Sequence, residues 1–162
     1  MIARCSCGRV EYEATGRPIV SLVCFCRDCQ AGSRELESLP GAGSVREPDG
    51  GTAYVTYRED RARCSRGAEL LESHKLQERS ATNRVTARCC SSPMVMSFDD
   101  ARHWVSIYRG RLVDAAPPSE MRICTKFAPD SLVTSAVPGY PGYPVRLLAK
   151  LLGARLAMLF GP

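Results

Sequence analysis

The sequence predicts a mostly β domain of short antiparallel strands followed by one C-terminal α-helix. Two patterns carry that expectation. Strand-length stretches recur from Arg9 to Tyr108, separated by turn-forming clusters such as Asp49-Gly50-Gly51, Ser65-Arg66-Gly67 and Asp99-Asp100, the pattern of a compact antiparallel β domain. Beyond them, one leucine-rich stretch near the C-terminus has helical spacing. A third observation bears on what holds the strands together. Seven of the nine cysteines fall into three tight groups: Cys5-Ser6-Cys7, Cys24-Phe25-Cys26-Arg27-Asp28-Cys29 and Cys89-Cys90.

The elements follow in order. From Arg9 to Ala14, Arg9, Glu11 and Glu13 alternate with Val10, Tyr12 and Ala14, the period of a half-buried strand. Gly8 allows the sharp turn that a C-x-C chelate needs. After Gly16-Arg17-Pro18, the apolar run Ile19 to Val23 suits a buried strand that delivers Cys24 to Cys29. Gln30 to Ser38 fits one or two helical turns, ended before Pro40, and Leu39 to Gly51 is a loop. Thr52 to Tyr57 is rich in β-branched and aromatic residues and reads as a strand. Arg61 to Cys64, Leu70 to Leu76, Val85 to Cys89, Met94 to Phe98 and Trp104 to Tyr108 are further strand-length segments, and Leu70, Leu71 and Leu76 also suit a short helix. The organisation expected is a β domain over 1–113, a Pro/Gly-rich wrap or linker over 114–144 containing six prolines, and an amphipathic helix over 145–160. Leu147, Leu148, Leu151, Leu152 and Leu159 mark that helix. Arg146, Lys150 and Arg155 and its length speak against a bilayer span. Docking on protein is expected; a basic membrane-surface helix is the lesser alternative.

Thiolates are soft anionic ligands. Zinc takes four of them in a closed structural site, or three with an open position where it does chemistry. Seven clustered thiols divide into four plus three. Disulfides are the competing reading. The start, Met1-Ile2-Ala3-Arg4-Cys5, lacks an apolar stretch for a signal peptide, so the expected compartment is the reducing cytoplasm. The odd count and the adjacent Cys89-Cys90 pair also fit bridges poorly. Cys64 and Cys124 stand alone and read as small buried apolar residues. His74 and His103 lie outside the cysteine groups; either is available as a ligand, but a lone histidine is more often an ordinary surface or core residue.

Composition narrows the function classes. Hydrophobic residues make up 44% of the 162 and charged ones 24%, so a folded domain is expected. The net charge is +5, but the arginines are scattered from Arg4 to Arg155. That permits anionic ligands without announcing nucleic acid. No serine–histidine–carboxylate set, phosphate-cradling loop or dinucleotide fingerprint is present.

The run Cys5-Ser6-Cys7-Gly8-Arg9-Val10, a strand, Gly16 and Pro18, then Cys24-Phe25-Cys26-Arg27-Asp28-Cys29 resembles the glutathione-dependent formaldehyde-activating enzyme family, which includes centromere protein V. The resemblance extends over about Ile2 to Tyr108. It implies a β-tent fold with one closed structural zinc and one more open, labile zinc held by three thiolates. By that resemblance Cys5, Cys7 and Cys89 bind the structural metal, and Cys24, Cys26 and Cys29 form the open, catalytic site. Two departures stand out. Phe25 replaces the usual histidine, and Cys89-Cys90-Ser91-Ser92-Pro93 replaces C-x-x-C-G. Ser92 occupies the place of the fourth structural thiolate, and a hydroxyl is a poor zinc ligand. The C-C-x-[ST]-P arrangement resembles a branch of the superfamily in which Cys90 takes that position. Neighbouring side chains of a strand point to opposite faces, so both thiols reach one metal only if the backbone turns, which Ser91-Ser92-Pro93 favours.

The family's activity makes or breaks the carbon–sulfur bond between glutathione and formaldehyde. Three functions therefore stay open: a zinc-dependent carbon–sulfur lyase, a non-catalytic zinc protein that binds a small thiol such as glutathione or is simply stapled twice, and a chromatin-associated module. The missing basic tract weakens the last, and no nucleic-acid partner and no membrane insertion are expected. Arg27, Arg34 and Lys75 are candidates to meet a glutathione carboxylate, or are ordinary solvated charges. Gly139-Tyr140-Pro141-Gly142-Tyr143-Pro144 reads as a turn-rich packing strip rather than a binding motif.

Overall fold

The computed structural model describes residues 1–129 and 136–160. The strands are β1 (Ile2–Arg4), β2 (Glu11–Ala14), β3 (Val20–Cys24), β4 (Thr52–Arg58), β5 (Ala62–Arg66), β6 (Leu71–His74), β7 (Thr82–Ala87), β8 (Ser92–Phe98), β9 (Trp104–Tyr108) and β10 (Met121–Ile123). Helix α1 (Arg27–Glu37) follows β3, and α2 (Val145–Leu159) is the last element. A small sheet runs β1-β2-β5 and a large one β10-β3-β4-β9-β8-β7-β6. Every pairing is antiparallel except β10 on β3. The mostly β expectation with a C-terminal helix is borne out.

The large sheet is buried on both faces at its centre. On β4, Thr52 to Tyr57 are all buried, because alternate side chains enter different cores. Val55 and Tyr57 join Ala3, Val10 and Ile107 in the core shared with the small sheet. Tyr54 instead joins Leu22, Leu36, Tyr108, Met121 and Leu147 under the helices. The two cysteine groups divide the same way. Cys5, Cys89 and Cys90 pack with the first core, and Cys24, Cys26 and Cys29 with the second.

Several local differences from the sequence expectations have identifiable causes. Strand β1, too short to show alternation, forms because Ala3 is buried and pairs with Tyr12. Helix α1 begins at Arg27 rather than Gln30, because Cys26 caps it by accepting from the Cys29 N–H. Its buried positions Cys29, Gly32, Ser33 and Leu36 make one helical stripe. Leu71–His74 is a strand after a single 3-10 turn at Ala68–Leu70. Met121–Ile123 lies in the segment read as a wrap or linker, and it extends the large sheet by pairing in parallel with Leu22–Cys24.

Helix α2 docks on the body. Leu147 is buried and Leu151 is packed against the second core. Lys150 donates to the Glu120 carboxylate at 2.6 Å, and the Leu151 carbonyl accepts from His103 Nε2 at 2.8 Å. The opposite side, with Val145, Leu152, Leu156 and Leu159, is exposed. No helix among the described residues is long and apolar enough to cross a membrane. Leu147→Ala is expected to cost about 2–5 kcal/mol, as large-to-small core changes do. Leu152→Ala should stay within about 0.5 kcal/mol. Denaturant unfolding of the two variants checks which side of α2 is docked, and the reverse order would refute it.

Candidate metal centres and the adjoining cavity

The sulfurs of Cys5, Cys7, Cys89 and Cys90 all lie within 4.8 Å of one another. The Cys5–Cys7 separation is 3.6 Å, Cys7–Cys89 3.4 Å and Cys89–Cys90 3.9 Å. A tetrahedron with Zn–S bonds of about 2.3 Å has edges of about 3.8 Å, so this donor set fits a four-thiolate zinc. The first two sulfurs come from a tight turn. Gly8 has φ +77°, its N–H donates to the Cys5 carbonyl, and the Val10 N–H donates to Cys5 Sγ at 3.2 Å. The other two come from the β7–β8 turn, where Ser91 has φ +50°. There strand alternation is suspended, so two consecutive thiols reach the same side. The turn lies just ahead of Ser92, which already begins β8.

Ser92 is engaged elsewhere. Its hydroxyl takes the Ser6 N–H at 3.0 Å and lies 3.1 Å from Cys90 Sγ, tying the two turns together beside the sulfurs. The thiols shift in opposite directions. Cys7 is pulled down to about 6, first by the Arg9 backbone N–H and then by the Arg9 side chain. Cys89 is pushed up to about 12 by lost hydration and its sulfur neighbours. Four thiolates this close repel one another, and a divalent metal between them would offset that repulsion.

The sulfurs of Cys24, Cys26 and Cys29 form a second group within the same 4.8 Å limit. Cys24 ends β3, Cys26 is the cap of α1, and Cys29 is in its first turn. The Cys29 N–H donates to Cys26 Sγ at 3.3 Å, and the Tyr54 hydroxyl donates to Cys29 Sγ at 3.8 Å. Cys26 is held down to about 3, first by the Cys24 and Cys29 thiols. Three thiolates leave a tetrahedral zinc one position for an exchangeable ligand. All three cysteines line a cavity of about 320 Å³ whose walls include Tyr54, Arg84, Trp104, Tyr143 and Leu147.

Several residues sit differently from their sequence reading, and others were missed by it. Phe25 points into a small core with Val23 and Ala53, fully buried, under the Arg122 guanidinium. It does not line the cavity. Arg27 stacks over Phe127, Lys75 pairs with Asp99 at 2.6 Å, and neither they nor Arg34 line the cavity. His74 bonds Thr86, while His103 meets the α2 backbone, so neither joins a sulfur group. Cys64 is half-buried and donates to the Arg66 carbonyl.

Cys124, buried as its sequence reading has it, lies close enough to the Cys24 thiol for that neighbour to pull it down to about 7. The parallel pairing of Ile123 with Cys24 brings it there. Tyr143, from the Gly/Tyr/Pro strip, stands at the cavity wall. Arg84 gave no sequence signal, because an arginine in an ordinary strand carries none until α1 is packed over it.

A mostly β, two-sheet fold with two sulfur clusters able to bind metal defines a class of cysteine-rich metal-binding domains. Residues 1–40 match the model of the glutathione-dependent formaldehyde-activating enzyme family, which bears out the resemblance carried by the first two cysteine motifs. Among solved structures the chain is similar to a Rhodobacter sphaeroides protein determined by a structural genomics effort. The identity is 20%, the match covers 72% of this chain and 92% of that one, and the TM-score is 0.51. That likeness shows the fold. No curated protein matches the chain.

Proposed function

We propose that this protein holds two zinc ions, a structural one at Cys5, Cys7, Cys89 and Cys90, and a thiol-binding one at Cys24, Cys26 and Cys29. We further propose that the second centre works as a carbon–sulfur lyase on a thiol–aldehyde adduct. The observation that carries this is the cavity, because all three sulfurs of the second group line it. Bound there, zinc would supply the charge that keeps a substrate thiol ionised at neutral pH.

The chain's own residues supply the rest. Cys24, Cys26 and Cys29 hold the metal, and the Tyr54 hydroxyl steadies Cys29 by donating to its sulfur. The apolar wall limits water around the reacting carbon. In the forming direction the thiolate sulfur bonds to the carbonyl carbon and the carbonyl oxygen takes up one proton; cleavage reverses both. The family match points to glutathione as the first thiol to try. Free cysteine thiols kept for metal suit a reducing compartment, so we place the protein in the cytoplasm.

One observation favours a second reading, a non-catalytic second staple. Cys124, beside Cys24, offers a fourth sulfur. It does not line the cavity and is not one of the three sulfurs grouped within 4.8 Å, which is why the thiol-binding reading stands first. The test is cobalt replacement with a thiol titration. Two metals per chain are expected, with one set of absorption bands moving when glutathione or a simple alkanethiol is added. Formaldehyde should be consumed faster when protein and thiol are both present. Bands that no thiol moves would leave the staple.

A further inference from the structure

The cavity above the second cysteine group contains a cation with no counterpart. Arg84, on β7, is only 3% exposed, yet Nε and Nη1 find no acceptor among the described residues. Among the described residues the guanidinium makes one hydrogen bond, from Nη2 to the Asp28 carbonyl at 2.8 Å. Asp28 sits between Cys26 and Cys29, so the guanidinium is anchored on the first turn of α1, beside the sulfurs. Room for it is made by Gly32 on α1, where a Cβ would overlap the guanidinium. An arginine is charged at any physiological pH. Burying it without a carboxylate and with unsatisfied N–H groups is costly. The other charged side chains on the wall do not relieve it. Arg102 is taken by Asp100 at 2.6 Å and stacks on Phe98, and Asp28 is exposed and makes no ion pair with Arg84.

The wall is largely apolar, with Leu22, Met96, Phe98, Trp104, Leu147 and Leu151 lining it beside Arg84, although Thr82 and Ser106 line it as well. Glutathione would bring two carboxylates, an ammonium and two amides against these side chains, and amides buried without partners are penalised.

We propose that the thiol taken by this site has an apolar body and a single carboxylate, a small mercapto-carboxylic acid whose acid group is received by Arg84. This rests on the thiol-binding reading above. Arg84 becomes the residue that selects among thiols, since its planar fork matches a carboxylate in two parallel hydrogen bonds. The charge of Arg84 would also offset the negative charge of three thiolates around one divalent ion. The experiment therefore has to separate recognition of the ligand from support of the metal.

The probes are two thiols that differ only in the acid group, 2-mercapto-3-phenylpropanoate and 2-phenylethanethiol, with glutathione as the third. Each is titrated into the cobalt-substituted full-length protein, wild type, Arg84→Gln and Arg84→Lys. The acid is expected to bind about tenfold or more tighter than the neutral thiol, and tighter than glutathione. Arg84→Gln should abolish that preference while changing the neutral thiol's affinity by less than about twofold, and Arg84→Lys should restore part of it. Equal binding of acid and neutral thiol by the wild type overturns the proposal even if the variants fail to fold. Equal losses for both thiols in Arg84→Gln assign the arginine to the metal centre instead, and tighter binding of glutathione removes the apolar-body part. If no thiol of any kind binds, the thiol-binding reading fails and this proposal falls with it. If neutral thiols bind and the acid gains nothing, only this proposal fails.

Discussion

Cys7→Ala is expected to abolish cooperative folding and to leave the protein without its tightly held zinc. Cys7 Sγ lies 3.4 Å from Cys89 Sγ, across 82 residues of sequence. Through that contact the Cys5–Cys7 turn, which leads into the small sheet, is tied to the β7–β8 turn of the large one. The small sheet is slight, with strands of three, four and five residues, and beyond this link it relies on the first core. A structural zinc contributes about 10 kcal/mol or more of apparent binding energy to small metal domains, against a total stability of about 5–15 kcal/mol for a typical domain. Losing one of four ligands, with three thiolates left unbalanced, should outweigh what the first core alone supplies. Cys5→Ala is expected to behave alike and to lose core packing as well, since Cys5 is buried. The measurements are zinc content and thermal melting of the reduced protein. A metal-free protein with an unchanged cooperative transition would overturn the assignment of the structural site.

Cys26→Ser should do the opposite, removing the second metal and keeping the fold. The difference lies in where the side chain sits. Cys26 is half-buried and caps α1 by accepting the Cys29 N–H. Serine is among the best residues at that position, so the helix keeps its cap while the metal loses a thiolate for a poor ligand. Zinc is expected to fall from two per chain to one, with the melting temperature lowered by no more than about 4 °C, roughly 1 kcal/mol for a chain of this size. The thiol response of the cobalt protein should vanish. Loss of both metals together, or unfolding on the scale of Cys7→Ala, would show that the two centres are not separable.

The two outcomes differ although both sites are built from the same residue type. The four-sulfur cluster joins two sheets, whereas the three-sulfur cluster sits at the end of one strand and the start of the helix that follows it. Its surroundings are already held by Leu36, Tyr54 and Met121. The sulfur chemistry is shared, and the topology decides which loss is global.

Much of the architecture was legible in residue order. The alternation from Arg9 to Ala14 and the apolar run before Cys24 mark β2 and β3, and the leucine spacing marks α2 with its end shifted by one residue. The short spacings within Cys5-Ser6-Cys7 and Cys24 to Cys29 bring those sulfurs together because a few residues of backbone have few ways to separate them. Strands of three residues show no periodicity, so β1 and β10 were not legible. Each exists because a longer neighbour presents an unpaired edge. Cys89-Cys90 was half legible: the turn was anticipated, but it forms at Arg88–Ser91, immediately before β8.

What the sequence by itself determined is the donor inventory, seven clustered thiols in groups whose internal spacing suits metal, and the β character that carries them. Only the tertiary structure decided which groups share a centre and what faces the open one. Joining Cys7 to Cys89 required two sheets to pack, setting Cys124 against Cys24 required β10 to add to β3, and leaving Arg84 buried in the cavity wall required α1 to lie over β7 at Gly32. Contacts between residues tens of positions apart leave no local pattern, because periodicity and turn chemistry describe only what neighbouring backbone can do. Which distant side chains meet is settled by the burial of apolar surface across the whole domain.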